Sequence, residues 1–153
     1  MRTAVTVICA IALFAGVSCT GESENSSGTK RVITLENTPA KRPYSPAIEA
    51  GNMLFVSGQV AVDQASGKLI EGGIEAQTRQ VLGNLKSIVE KAGYTMNDIV
   101  RCTVLLSDIS FYNPMNQVYM EFFPADPPAR MAFAVKDLPM GALVEIDAIA
   151  VKQ

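Results

Sequence analysis

Histidine is absent from all 153 residues. That gap removes Ser-His-Asp and Cys-His nucleophilic catalysis and most zinc sites, since imidazole serves as base or ligand in each. Cysteine is scarce: three residues, at positions 9, 19 and 102, with no spacing that suggests a metal or disulfide framework. Basic residues are in slight deficit, 13 Lys and Arg against 15 Asp and Glu, for a net charge of -2. The densest basic pairs, Lys30-Arg31 and Lys41-Arg42, read as solvated charges, so no electrostatic footprint for nucleic acid is present. The chain also lacks an apolar run of the ~20 residues that a membrane span requires.

What is there is a 48% hydrophobic chain, enough for one compact domain with a core. Its longest apolar run, Ala4 to Val17, follows a weakly positive Met1-Arg2-Thr3 and ends in small residues. Residues 1–18 therefore read as a secretory signal. The segment Ala15-Gly-Val-Ser-Cys19-Thr-Gly21 resembles a bacterial lipobox, with Gly16 where leucine is usual. On that reading Cys19 carries lipid and begins the mature chain, and acyl chains hold the protein to the membrane through that anchor alone. The alternative is an ordinary signal peptide with an incidental Cys19 and a soluble periplasmic product. Residues 19–30, polar and Gly/Ser-rich, read as the lipidated N-terminus and its flexible tether, leaving 31–153 as the folded domain.

Within that domain Val32 to Leu35 is a short strand candidate. Pro43 and Pro46 stiffen an extended segment around Tyr44. Ala47–Ala50, a Gly51-Asn52 turn and Met53–Ser57 form a hairpin pattern. Gly58 follows directly, where a glycine permits close approach of backbone or ligand. From Gly73 to Ala92, Ile74, Val81, Leu82, Leu85, Ile88 and Val89 recur at helical spacing, and Gly93 is a stop signal. Ile99–Leu106 is an apolar strand with Cys102 as an inert core residue. A second helix runs from about Phe111 to Phe123, with Pro114 in its first turn, Asn116 inside it and Pro124 ending it.

Two last strands surround a turn at Leu138-Pro139-Met140-Gly141. The first is apolar except for Arg130, the second except for Glu145 and Asp147. Charges are rarely buried unless paired, so these need an explanation. Folding 129–135 back onto 143–150 as a hairpin puts Arg130 opposite Glu145 to Asp147, with the register left open. The whole is an α+β fold: two helices on one face of a mostly antiparallel sheet. The sheet's other apolar face is then buried by self-association.

Several segments in order resemble the RidA/YjgF family: Pro43-Tyr44-Ser45, Ser57-Gly58-Gln59, Gln77 to Asn84, Asn116-Gln-Val-Tyr119 with Phe122-Phe123, Pro128-Ala-Arg130, Leu138-Pro139 and Val144 to Ala150. The likeness covers about residues 31–153. It implies a chorismate-mutase-like homotrimer with clefts between subunits and no cofactor. It also implies hydrolysis of reactive 2-imino acids, formed from enamines such as 2-aminoacrylate, to 2-keto acids and ammonia. By the same likeness Arg130 holds the substrate carboxylate and Glu145 positions the attacking water. Tyr44, Ser57 and Gly58 line the pocket, and Asn116 supports it. Elementary chemistry agrees, because a guanidinium fork suits a planar carboxylate and a protonated imine carbon needs neither metal nor covalent nucleophile. Three departures stand out: Ala132 replaces a common family cysteine, the Phe123–Pro128 connection is short, and the leader implies export. Export and the altered rim motivate a second expectation, a non-catalytic envelope module that binds 2-keto acids or other small carboxylates.

Overall fold

The computed structural model describes residues 30–35 and 43–152; the expected signal, Cys9, Cys19 and most of the tether lie outside the described residues. The elements are β1 (Arg31–Ile33), β2 (Ala47–Ala50), β3 (Met53–Val60), α1 (Ile74–Lys91), β4 (Ile99–Leu106), α2 (Tyr112–Phe122), β5 (Ala129–Ala134) and β6 (Val144–Val151). This is the order the sequence patterns predict. The six strands form one sheet, ordered β1-β2-β3-β6-β4-β5. Every neighbouring pair is antiparallel except β4 and β5, which run parallel.

The alternation along β6 fixes which face is core. Val144, Ile146, Ala148 and Ala150 are buried, whereas Glu145, Asp147, Ile149 and Val151 between them remain partly open. On the buried face α1 presents Val81, Leu82, Leu85, Ile88 and Val89, all fully enclosed, and α2 adds Met115, Val118 and Tyr119. The spacing of these side chains puts them on one stripe of each helix, which is why the helices pack on the sheet rather than stand in solvent.

The end of α1 follows from one residue. Gly93 adopts φ +84, which permits Tyr94 N–H to donate to Val89 O at 3.0 Å and Gly93 N–H to donate to Glu90 O at 2.9 Å. These two bonds satisfy carbonyls that the helix itself leaves open, and they turn the chain toward β4.

The C-terminal hairpin is not formed. β5 pairs with β4, with Arg130 beside Cys102, and β6 pairs with the other edge of β4, with Ala148 beside the same cysteine. The physical reason lies in the preceding unit. A strand, a helix and a strand in succession, β4-α2-β5, cross over to leave β5 parallel to β4, so one edge of β4 is already occupied. The connection after β5 then passes the end of β4, held by Val135 N–H to Leu106 O at 2.8 Å and Ser107 N–H to Leu143 O at 3.0 Å. β6 enters at the free edge, between β4 and β3.

Candidate active site

Two clusters hold the candidate side chains. The first is built on an irregularity in β3. Pairing with β6 is regular from Met53↔Val151 to Val56↔Ala148 and resumes one residue out of step at Gln59↔Ile146. Ser57 and Gly58 thus bulge against β6, which bends the strand. The bulge is held by its neighbours: Gln59 Nε2 donates to Ser57 O at 2.8 Å and to Gly58 O at 3.3 Å. Ser57 N–H donates to Pro46 O at 3.0 Å and Ser57 Oγ to Ser45 O at 2.7 Å. The serine therefore fastens the segment that carries Tyr44, whose side chain is largely exposed.

Gly58 has a second reason to be glycine. A Cβ there would land on the Glu145 carboxylate, with Glu145 Cδ only 2.9 Å away. The close approach the sequence suggests is thus that of an acidic side chain lying over the strand. Tyr44, Ser57, Gly58 and Glu145 together line a cavity of about 570 Å³, with Leu35, Pro139 and Met140 among its apolar walls. Polar groups of α1 hold its framework. Buried Asn84 donates through Nδ2 to Val62 O at 2.8 Å, and buried Gln77 accepts Leu143 N–H at 2.8 Å. Each removes an otherwise unpaired strand-end group.

Burial, and then the neighbouring Asp147 charge, push the Glu145 carboxyl above the usual range. Asp147 itself accepts Thr103 N–H at 2.9 Å, so this carboxylate ties β6 to β4. Glu145 and Asp147 occupy alternate positions of β6 on the face away from the helices.

The second cluster is at the other edge, on the helix side. The Arg130 guanidinium carbon sits 4.5 Å from the centre of the Tyr119 ring and 5.7 Å from that of Tyr112. One terminal nitrogen reaches Tyr112 Oη at 3.5 Å, and the other lies 4.0 Å from Met115 Sδ. Among the described residues no carboxylate lies within salt-bridge distance of it. Asn116 lies on the same side of α2 as Tyr112 and Tyr119, and its Oδ1 is buried without a hydrogen-bond partner. The sequence marked Arg130 and Asn116 but not the aromatic pair beneath the cation; their i, i+7 spacing on α2 was the available signal.

Arg130 and Glu145 do not meet within one chain. Arg130 shares a row with buried Cys102 and Ala148, whereas Glu145 shares one with Leu105. They leave opposite faces of the sheet, two strands apart (about 10 Å) and three residues apart along it (about 10 Å). This corrects the convergence expected from a hairpin register. Cys102 is the inert core residue expected: it is fully enclosed, and burial pushes its thiol up to about 11.

A protein-family model described as "Endoribonuclease L-PSP" matches residues 35–152. A RutC family protein of Pyrococcus horikoshii is 49% identical over 125 residues, covering 81% of this chain and 99% of the relative. The 2-iminobutanoate/2-iminopropanoate deaminase of Mus musculus is 41% identical over 128 residues, covering 83% of this chain and 93% of the relative. Among solved structures, the YjgF gene product of E. coli superimposes with a TM-score of 0.75 at 39% identity, covering 80% of this chain and 99% of that one. The family model spans most of the described residues and the relatives match at about 40% identity over four fifths of the chain, so this chain belongs to the RidA/YjgF family.

Proposed function

We propose that this chain is a hydrolytic deaminase of 2-imino acids, acting in clefts formed between copies of itself in a homotrimer. The observation that carries the reading is Arg130: a guanidinium seated on aromatic rings, with no carboxylate partner among the described residues. Such a fork can take a planar substrate carboxylate through two charge-assisted hydrogen bonds. Relatives of mouse and human that match over most of their length are named 2-iminobutanoate/2-iminopropanoate deaminase, which supports the reaction class.

The steps follow from the groups present. Arg130 of one subunit holds the carboxylate of a protonated imine, and Glu145 of a neighbour accepts a proton as water oxygen bonds to C2. The tetrahedral amino alcohol takes a proton on nitrogen, the C–N bond breaks toward ammonia, and C2 becomes a ketone as its hydroxyl proton leaves. One imine and one water become one 2-keto acid and one ammonium. Tyr44, Ser57 and Gly58 shape the pocket around C2, and Asn116 supports it from the same side of α2 as the rings beneath Arg130.

The test is ammonia release from enzymatically generated 2-aminoacrylate or 2-iminobutanoate. Wild type should accelerate it, and Arg130→Ala and Glu145→Gln should each lower the rate by on the order of a hundredfold or more. No acceleration by wild type across several imines rejects the deaminase. Keto-acid binding without turnover would leave the envelope binding module in its place.

The pattern Ala15 to Gly21 supports export and lipidation at Cys19 as part of the same proposal. Among the described residues no helix is long and apolar enough to cross a membrane. Mass spectrometry of the mature N-terminus checks it, and an unmodified Cys19 excludes the anchor.

A further inference from the structure

Tyr119 is buried in the core yet holds its ring face against the one cation the proposed reaction uses. Only 4% of it is exposed, and Phe123 braces it at 4.7 Å between ring centres. Its hydroxyl sits in the interior without a geometrically sound hydrogen bond, next to the Cys102 thiol. A buried phenol gains little from such a hydroxyl, so the feature of Tyr119 that the site employs is the ring. Arg130 lies over that ring at 4.5 Å, closer than over the more exposed Tyr112.

Resting on the reading that Arg130 binds the substrate carboxylate, we infer that Tyr119 is the positioning residue for that arginine: its π face stacks on one side of the guanidinium and fixes the plane in which the carboxylate is taken. The ring attracts the cation through its quadrupole and asks for no hydrogen bond. An acidic partner would hold the N–H edge firmly, whereas here the terminal nitrogens meet only Tyr112 Oη at 3.5 Å and Met115 Sδ at 4.0 Å, long contacts that a ligand carboxylate can replace. The deep packing of Tyr119 between α2 and β4 makes the platform rigid, so a flexible side chain on the strand acquires a defined orientation before substrate arrives.

The experiment uses the full chain with phenylalanine, 3,5-difluorophenylalanine and 3,4,5-trifluorophenylalanine placed in turn at position 119. The probe is 2-oxobutanoate, titrated by calorimetry. Fluorination drains the ring quadrupole at nearly constant volume, so packing is held while the stacking changes. Tyr119→Phe should keep the wild-type affinity within about twofold, and affinity should then fall stepwise, by roughly five- to tenfold across the series. In an Arg130→Ala background binding should be lost, or what remains at high ligand should not vary along the series, because the ring acts only through the arginine. A flat series in the presence of Arg130, or an equal slope in its absence, overturns the inference. A wild-type chain that binds no 2-oxobutanoate overturns the carboxylate reading of Arg130 as well. Binding lost in Arg130→Ala, with a flat fluorination series, overturns the role of Tyr119 alone.

Discussion

Glu145 and Asp147 stand two residues apart on one face of β6, and their coupling sets the pH behaviour of the proposed base. Glu145 is held above the ordinary carboxylate range by burial first and by the Asp147 charge second. The base must be ionised to accept a proton from water, so activity should fall on acidification earlier than it would with an ordinary glutamate. Asp147→Asn removes the charge but keeps an oxygen for Thr103 N–H. The acid limb of the kcat profile should therefore move to lower pH without reaching that of an unburied carboxylate. A limb that stays in place or moves upward excludes the coupling. The stability sign runs the other way from a salt-bridged acid: with its folded value raised, Glu145 favours the folded state most below the ordinary value, and this is lost as pH rises through the raised one. At this scale the sequence made Gly58 legible as a site of close approach. It could not say that the approaching group was Glu145, because that contact depends on a one-residue bulge that no local pattern encodes.

Helix α1 was readable in full because its period, its length and its stop signal agree. Gly93 is the part of that agreement that can be tested. Its φ of +84 lies in the left-handed region, open space surrounds an added Cβ apart from Lys152 Nζ at 3.5 Å, and both capping bonds depend on that turn. Gly93→Ala should lower the unfolding free energy by about 1–2 kcal/mol in urea titration, the strain of a side chain in that conformation. No change, or a gain, would mean that the cap tolerates another backbone geometry. The last two strands were misread for the opposite reason. A turn signal at Leu138–Gly141 between two apolar runs matches a hairpin locally, yet pairing is decided by which strand edges remain free. The chain holds two strand-helix-strand units, β3-α1-β4 and β4-α2-β5; the second leaves its strands adjacent while β6 separates those of the first, so the succession of elements alone did not assign the edges. Local pattern gave the elements; their partners required counting edges across the sheet.

The assembled molecule follows from the face of the sheet that the helices leave open. Phe55, Met131 and Phe133 are exposed there at 41%, 47% and 41%, in rows with Ile149, Thr103 and Leu105. Apolar surface of this kind asks for a partner, and Glu145 emerges on the same face. Arg130 leaves the opposite face at the β5 edge, so a site that uses both must take them from different chains, as a closed ring of heterologous contacts allows. This makes a mixing experiment decisive. Arg130→Ala and Glu145→Gln chains should each be close to inactive alone. Unfolded together in equal amounts and refolded, they should regain activity: a cleft needs Arg130 from one chain and Glu145 from its neighbour, each present with probability one half, so about one quarter of the clefts are intact. The per-site rate of the mixture should approach that fraction of wild type, while each variant refolded alone stays inactive. A site completed within one chain can gain nothing from mixing, because every chain then lacks one of its two charges. Recovery near one quarter thus locates the reaction between subunits, and its absence in mixed trimers would return both charges to separate duties.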